Sequence, residues 1–484
     1  MQAQKTLTKA FTGNSVLIFL ARLFPALAFT TIWILASKYL SASEYGNFQK
    51  FWTQLFFISA LAVIGFPTFI INYPPAEAFQ YIKKISIKFL PWYILLLILV
   101  CSIFSWAQNL LHITSGYNAG ILLAVIVINF ILDALLIVIH KTKSLVVLSF
   151  LYSLAFCLMM IYAFQNHFSL NQLISFLVVI AAIRAVISFI ILIKNYNLIS
   201  ANESKDIDLM LVQKNKFWWH LGLNDMMIQV FRWADKFVLS FILSSELFAL
   251  YFNGATEIFI FSILFAAVSS AAIQYWANQK NSTNKQDKIP LIHFSTQLLA
   301  SVMLPLFWYF IFFHENFLIH IFSEKYLASA SIFIIAQAVL PLRCFSFTAI
   351  LQSEHQGAII NKGALLDFVI AIILVYPLYR LLGLEGIVLA FVISTYCQAF
   401  YYSFHISKTL QKSLIQIFPL KQVSLLFIAI GFLMLCLKLL LNQMALSSSA
   451  IFIISVIVAV LITFVLFLRT QSLLKMFNKK IKKI

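Results

Sequence analysis

The sequence predicts an all-α, polytopic membrane protein of about fourteen transmembrane helices, arranged as two six-helix lobes in a parallel repeat plus a C-terminal helix pair. Hydrophobic residues make up 62% of the 484 residues and charged residues only 10%, whereas soluble domains contain about 25% charged residues. The apolar runs are about 20 residues long, which is the length that a helix needs to cross a bilayer. These runs lack the alternation that is typical of a transmembrane β-barrel.

Polar clusters, proline and glycine mark the ends of the predicted spans. The first six are 14–37, 48–71, 89–107, 119–140, 145–164 and 171–193. The next six are 217–243, 248–276, 290–313, 327–350, 364–379 and 386–407, and the last two are 423–441 and 449–468. The segments between them are too short for a soluble catalytic domain of ordinary size.

Lys and Arg residues in the loops predict the orientation. With a cytoplasmic N-terminus, the cytoplasmic segments hold 24 Lys and Arg residues, and the external segments hold only Lys38, Lys325 and Arg380. Because basic loops stay on the cytoplasmic side, we expect both termini in the cytoplasm. The same rule accounts for the net charge of +18 without nucleic acid as a partner.

The longest hydrophilic stretch, 195–216, predicts a cytoplasmic linker between two lobes. It separates an N-lobe of six helices (1–194) from a C-lobe of six helices (217–412), and residues 413–484 add the last two helices and a basic cytoplasmic tail. A faint repeat agrees, since Ser-Glu pairs follow both span one and span seven. Six spans is an even number, so both lobes enter the membrane from the same side, as parallel repeats do.

Span seven carries the most informative polar pattern. Asp225, Gln229, Arg232 and Lys236 are spaced by four, three and four residues and therefore share one helix face. Charged residues inside a membrane are costly and usually face a water-filled cavity, so we interpret this face as a cavity wall. Two alternatives stay open: Arg232 can form a structural pair with Asp235, and Lys236 can extend to an interface.

Shorter polar patterns occur in three other spans. Span one carries Arg22 without an acidic residue in the same span. Span two carries Lys50 and Gln54, and span eight carries Asn253 and Glu257, each pair four residues apart. We expect these side chains to line the same cavity, although Lys50 could extend to an interface instead. Among the other charges within spans, Lys438 is expected to extend to an interface, and Asp133 can pair locally near the cytoplasmic end of its span. Arg184, Arg343 and Asp367 are single charges, for which a structural or interfacial role is as well supported as a functional one.

The sequence offers little support for metal or enzyme chemistry. The five cysteines lie in apolar stretches without CxxC spacing, and the nine histidines are scattered without an HxxxH motif. Neither a GxSxG motif nor a GxxxxGK[ST] phosphate loop occurs. We therefore expect a transporter without a metal site or cofactor, driven by a proton gradient, a sodium gradient or the membrane potential.

Two short motifs carry a resemblance to a known family. The first runs from Ala21-Arg22-Leu23 to Leu40-Ser41-Ala42-Ser43-Glu44-Tyr45-Gly46, and the second from Trp233-Ala234-Asp235-Lys236 through Leu243-Ser244-Ser245-Glu246 to Tyr251. Together with the predicted spans and the linker after the sixth, they resemble the polysaccharide-transport (O-antigen flippase) family. That family belongs to the multidrug/oligosaccharidyl-lipid/polysaccharide (MOP) flippase superfamily.

The resemblance implies two lobes around a cavity lined by the first, second, seventh and eighth helices. The implied activity is the translocation of a polyprenyl-pyrophosphate-linked oligosaccharide from the cytoplasmic to the outer leaflet, with a polysaccharide polymerase and glycosyltransferases as partners besides membrane lipids. The side chains then divide into cations for the pyrophosphate (Arg22, Lys50, Arg232 and Lys236), polar lining (Gln54, Gln229 and Asn253) and candidates for ion coupling (Asp225, Asp235 and Glu257).

Three alternatives remain. The first is a multidrug/cation antiporter of the same superfamily. Such antiporters have a carboxylate in the first helices of the N-lobe, whereas the first two spans of this sequence carry cations. A peptidoglycan-precursor flippase shares the architecture and the substrate chemistry. A membrane enzyme such as a polymerase or an acyltransferase is disfavoured, because the external loops are short and no histidine inside a span has polar support.

Overall fold

In the computed structural model, the described part of the chain consists of helices joined by turns. The structure describes residues 2–196, 208–256, 289–354, 356–444 and 446–481, with the short stretches 264–265, 268–269 and 272–273. Side chains are described in these segments except at 2–16, 86–88, 196, 208–214, 216–217, 224, 228, 231 and 471–481. No β-strand occurs in these segments, and the predicted all-α fold class is confirmed.

Residues 1–249 form the first of two compact units. Its helices are α1 (Gln2–Tyr39), α2 (Ala42–Ala62), α3 (Phe66–Ile70), α4 (Pro75–Leu110), α5 (Asn118–Val138), α6 (Thr142–Gln165), α7 (Leu170–Tyr196), α8 (Asp208–Ile242) and the start of α9 (Ser245–Gly254). Helix α1 packs against α6, α5 packs against α7, and α8 packs against α2 and α3. The seventh predicted span thus packs with the first six, and the lobe boundary at 195–216 stays a prediction.

Residues 250–484 form the second unit. Its helices are α10 (Ile289–Ile321), α11 (Ala330–Gln337), α12 (Phe347–Ser353), α13 (Gly357–Leu382), α14 (Leu384–Leu410), α15 (Leu414–Ile417), α16 (Leu420–Gln443) and α17 (Ser448–Ile481). Two 3₁₀ segments, Glu324–Ser329 and Leu340–Cys344, precede α11 and α12. Helices α13 and α14 pack together, and α10 packs against α16 and α17.

The long apolar runs of the sequence account for most of the predicted spans. Ten described helices are long and apolar enough to cross a membrane, or 11 if the bent pair Glu324–Gln337 and Leu340–Ser353 forms one span. The predicted number of fourteen is not confirmed. Helices α2 and α8 fall short because polar residues lower their hydropathy, and much of predicted span 248–276 lies outside the described residues.

The prediction of one continuous helix over 48–71 is wrong. Helix α2 ends at Ala62, and Ile64 and Gly65 adopt left-handed φ angles of 48° and 62° before α3 begins. The indole Nε1 of Trp218 donates a hydrogen bond of 2.9 Å to the Ile64 carbonyl. A Cβ atom on Gly65 would lie 2.3 Å from the Gly222 Cα, so only glycine permits this approach of the break to α8.

Two helices extend beyond the predicted spans. Helix α4 begins at Pro75 and includes the basic segment that was predicted to be a loop before 89–107. A helix of 36 residues is about 54 Å long, which exceeds the thickness of the hydrocarbon core. Helix α8 begins at Asp208, inside the predicted linker, and residues 197–207 lie outside the described residues.

Aromatic side chains hold α1, α2 and α6 together at the centre of the first unit. The Phe29 ring lies 4.9 Å from Trp52, 4.9 Å from Phe56 and 4.8 Å from Phe156, measured between ring centroids. Such aromatic pairs contribute about 0.5–1.5 kcal/mol each beyond their buried area. Phe29 and Phe56 also border the cavity described next, so this cluster fixes one of its walls.

Candidate functional site: a polar cavity in the first unit

A cavity of about 530 Å³ lies within the first unit. Its lining residues come from α1, from α2 and α3 with the break between them, and from α5, α6, α7 and α8. Most of the wall is apolar, and the charged side chains among the lining residues are Arg22, Asp133, Arg184 and Asp225. A largely apolar cavity of this size with a few convergent polar groups is typical of a ligand-binding site.

Helix α1 presents Arg22 to the cavity. The neighbouring Ala21 is buried, whereas Arg22 is exposed and lines the cavity. Pro25 also lines it and lies inside the helix, and because proline has no N–H it leaves the Ala21 carbonyl without its helical donor. Arg22, the cation predicted in span one, therefore lies at the cavity surface next to the Ala21 carbonyl.

The structure pairs two charges that look isolated in the sequence. Arg184 on α7 donates from Nη2 to Oδ2 of Asp133 on α5 over 2.7 Å, with 11% and 25% of the two side chains exposed. The Arg184 guanidinium also lies over the Tyr152 ring of α6, 4.9 Å from its centroid. Arg22 lines the same cavity as this pair.

Asn129 fixes the spacing of the helices that carry this pair. It lies one turn before Asp133 on α5, and its Nδ2 donates to the carbonyls of Val125 (3.0 Å) and Ala181 (3.1 Å). Both amide hydrogens are thereby used, so Asn129 ties α5 to α7 at the level of the cavity. Neither Asn129 nor Tyr152 was predicted from the sequence, because a single Asn or Tyr in an apolar span has no distinctive spacing.

The predicted polar face of span seven only partly reaches the cavity. Asp225 and Gln229 line it, one turn apart on α8. Arg232 is exposed but lies outside the lining residues. The Lys236 Nζ atom lies 3.4 Å from Oδ2 of Asp235 and 5.8 Å from the centroid of the Trp233 ring. The structure therefore brings Arg22, Asp225 and Gln229 together and places Arg232, Asp235 and Lys236 farther along α8.

The polar face of α2 joins the end of α8 and does not line the cavity. The Lys50 ammonium is buried and donates a hydrogen bond of 2.6 Å to the Leu243 carbonyl. It thereby gives a hydrogen-bond donor to a backbone carbonyl at the C-terminal end of α8. Gln54 donates to the Ser240 hydroxyl over 2.9 Å and accepts a hydrogen bond from Gln108. These contacts explain a polar stripe on α2 without a cavity.

The remaining predicted site residues lie in the second unit. Asn253 is buried there, and Glu257 lies outside the described residues. Among the residues that the structure describes, no group of three His, Cys, Asp or Glu side chains could hold a metal ion.

The comparisons with known proteins identify the fold. No protein-family model matches the sequence, and no curated protein matches it. A solved structure of the lipid II flippase MurJ in an inward-closed conformation matches with a TM-score of 0.63 and 16% identity, covering 95% of this chain and 98% of that one. The chain has the fold of a lipid flippase.

Two further solved structures match at similar identity. A MATE mutant matches with a TM-score of 0.50 and 15% identity, over 84% of this chain and 97% of that one. A multidrug resistance MATE family transporter of the MOP superfamily, in an inward-facing conformation, matches with a TM-score of 0.49 and 15% identity, over 81% and 96%.

Proposed function

We propose that this protein is a flippase of the MOP superfamily. It moves a polyprenyl-pyrophosphate-linked oligosaccharide, a unit of O-antigen or another surface polysaccharide, from the cytoplasmic to the outer leaflet of a bacterial inner membrane by alternating access. The observation that carries the proposal is Arg22, an exposed guanidinium at the wall of a largely apolar cavity in a chain with the fold of MurJ. Both termini are cytoplasmic in this proposal.

The chemistry of the cavity suits a phosphorylated headgroup. A guanidinium binds phosphate oxygens through paired hydrogen bonds, and charge-assisted bonds are stronger than neutral ones. A largely apolar wall lowers the effective dielectric constant below that of bulk water, which strengthens such an interaction. A charge within a membrane costs free energy, so an exposed Arg22 at the cavity is best explained by an anionic ligand.

The remaining parts of the proposal concern energy and partners. We expect no bound cofactor, and a proton gradient, a sodium gradient or the membrane potential supplies the energy. Asp225 is the candidate for ion coupling that lines the cavity. Glycosyltransferases assemble the substrate before translocation, and a polysaccharide polymerase uses it afterwards.

A peptidoglycan-precursor flippase is a second candidate. MurJ, whose fold this chain shares, is a lipid II flippase, and a peptidoglycan precursor is also a lipid-linked pyrophosphate. The multidrug/cation antiporter is a third, because Asp225 offers a carboxylate to a cationic compound in the same cavity. The net charge of the bound ligand separates the antiporter from the flippases, and the attached sugar separates the two flippases.

Transport by the purified protein tests the proposal. The protein is placed in vesicles with a labelled polyprenyl-pyrophosphate oligosaccharide, a labelled peptidoglycan precursor or a cationic dye, and movement between leaflets or out of the vesicle is measured. Arg22→Ala should slow translocation of the oligosaccharide lipid about 10- to 100-fold, the effect of losing one charged hydrogen bond of about 1.5–3 kcal/mol. Arg380→Ala, at an exposed arginine of the second unit, is the matched control and should leave the rate unchanged.

The outcomes are distinct. Translocation of the oligosaccharide lipid at equal rates with and without Arg22 would contradict the role of the cavity. Movement of the peptidoglycan precursor alone would favour the second candidate, and movement of the dye alone would favour the antiporter.

A further inference from the structure

The ion pair between Asp133 and Arg184 uses only part of its bonding capacity. A guanidinium and a carboxylate can form two parallel hydrogen bonds, but here one bond joins Nη2 to Oδ2. Asp133 Oδ1 and Arg184 Nε are buried, and neither has a hydrogen-bond partner among the described residues. A buried polar group without a partner is destabilising, so a ligand that completes the bonding of this arginine gains affinity.

Asp133 shares its cavity with two arginines. It bonds to Arg184, and Arg22 lines the same cavity. A carboxylate near two guanidinium groups reduces their mutual repulsion. The carboxylate thus occupies a position that a ligand with two adjacent negative groups would take.

The surrounding residues hold Arg184 in place independently of Asp133. The Tyr152 ring lies against its guanidinium, which is a favourable cation–π contact. Asn129 of α5 donates one hydrogen bond to the Ala181 carbonyl of α7 and so joins the two helices. Arg184 can therefore lose its bond to Asp133 and still present its guanidinium to the cavity.

We infer that Asp133 competes with the ligand for Arg184, and that Arg22 and Arg184 together bind the two phosphate groups of a lipid diphosphate. The diphosphate displaces the Asp133 carboxylate from Arg184 and forms the paired bonds that Asp133 leaves unmade. This inference rests on the proposed function, and it makes Arg184 the residue that distinguishes a diphosphate from a monophosphate. Return of Asp133 to Arg184 would assist release of the headgroup.

The test compares two ligands of equal chain length, a polyprenyl diphosphate and a polyprenyl monophosphate, binding to the purified full-length protein in nanodiscs. The wild type should prefer the diphosphate, and Arg184→Gln should lower that preference at least tenfold while monophosphate binding changes little. Asp133→Asn should bind the diphosphate several-fold more tightly, because the competing carboxylate is neutralised. The double variant Asp133→Asn/Arg184→Gln removes both charges of the ion pair together and should bind as Arg184→Gln does. Arg380→Gln is the control.

The results separate this inference from the function on which it rests. If Arg22→Gln weakens binding of both ligands but Arg184→Gln and the double variant keep the wild-type preference, the inference fails and the proposed function stands. Weaker diphosphate binding by Asp133→Asn would show that the pair is only structural, and would also overturn the inference. Failure of the wild type to bind either ligand would refute the proposed function itself.

Discussion

At the scale of single residues, the structure assigns different environments to two cations that look alike in the sequence. Arg22 and Lys50 both lie in polar patterns within predicted spans. Arg22 is exposed at the cavity, whereas Lys50 is buried and bonded to the Leu243 carbonyl at the end of α8. The difference depends on contacts between residues 193 positions apart, which spacing along one helix does not encode.

Removal of the Lys50 ammonium should reduce stability more than it reduces ligand binding. Lys50→Met keeps much of the length of the side chain but leaves the Leu243 carbonyl without this donor, and we expect a loss of about 1.5–3 kcal/mol. The midpoint of thermal unfolding of the purified protein should fall, while the affinity of the folded protein for a polyprenyl diphosphate stays near that of the wild type. Lys421→Met, at an exposed lysine of the second unit, is the control. An unchanged midpoint with weakened diphosphate binding would place Lys50 in the binding site after all.

At the scale of elements, the break between α2 and α3 shapes the cavity. Val63, Gly65 and Pro67 line it, and Trp218 of α8 bonds to the backbone at Ile64. Trp218 also packs between the rings of Phe66 and Phe69, at centroid distances of 5.6 Å each. The break thus holds α8 close to the cavity, and the close approach of Gly65 to Gly222 depends on the absence of both side chains.

Gly65→Ala should therefore destabilise the first unit. A left-handed φ of 62° costs a non-glycine residue about 1–2 kcal/mol, and the overlap with Gly222 adds about 1–3 kcal/mol. Gly116→Ala is the matched control, because Gly116 also has a positive φ (82°) but a Cβ atom added there would have no described atom within 4 Å. Unfolding by denaturant should show a larger loss for Gly65→Ala than for Gly116→Ala. Equal losses of stability in the two variants would mean that the overlap with Gly222 adds no cost, because the α2–α3 break and α8 can move apart there.

The elements also show what the sequence could predict. Ten of the predicted spans correspond to long apolar helices, because hydrophobic length alone specifies them. The break in span two was missed, since Gly65 in an apolar run is compatible with a continuous helix until Gly222 approaches it. The spacing of Asp225 and Gln229 placed both on one face, and both line the cavity. The pairing of Asp133 with Arg184 joins two different helices, so helical periodicity cannot predict it.

At the scale of the whole molecule, the distribution of charge predicts a fixed orientation. The loops and tails assigned to the cytoplasm carry 24 Lys and Arg residues, and the loops assigned to the outside carry 3. Such a bias sets the topology of membrane proteins.

Cysteine labelling tests this orientation. In a variant without the five native cysteines, Ser447→Cys lies at an exposed position between α16 and α17, and it should react in intact cells with a maleimide that cannot cross membranes. Lys362→Cys, at an exposed position near the start of α13, should react only after the membrane is permeabilised. The reverse pattern would place both termini outside, and the proposed direction of translocation would then have to be reversed. Equal labelling of both positions in intact cells would show that they share one side, and the predicted topology of the last spans would then be wrong.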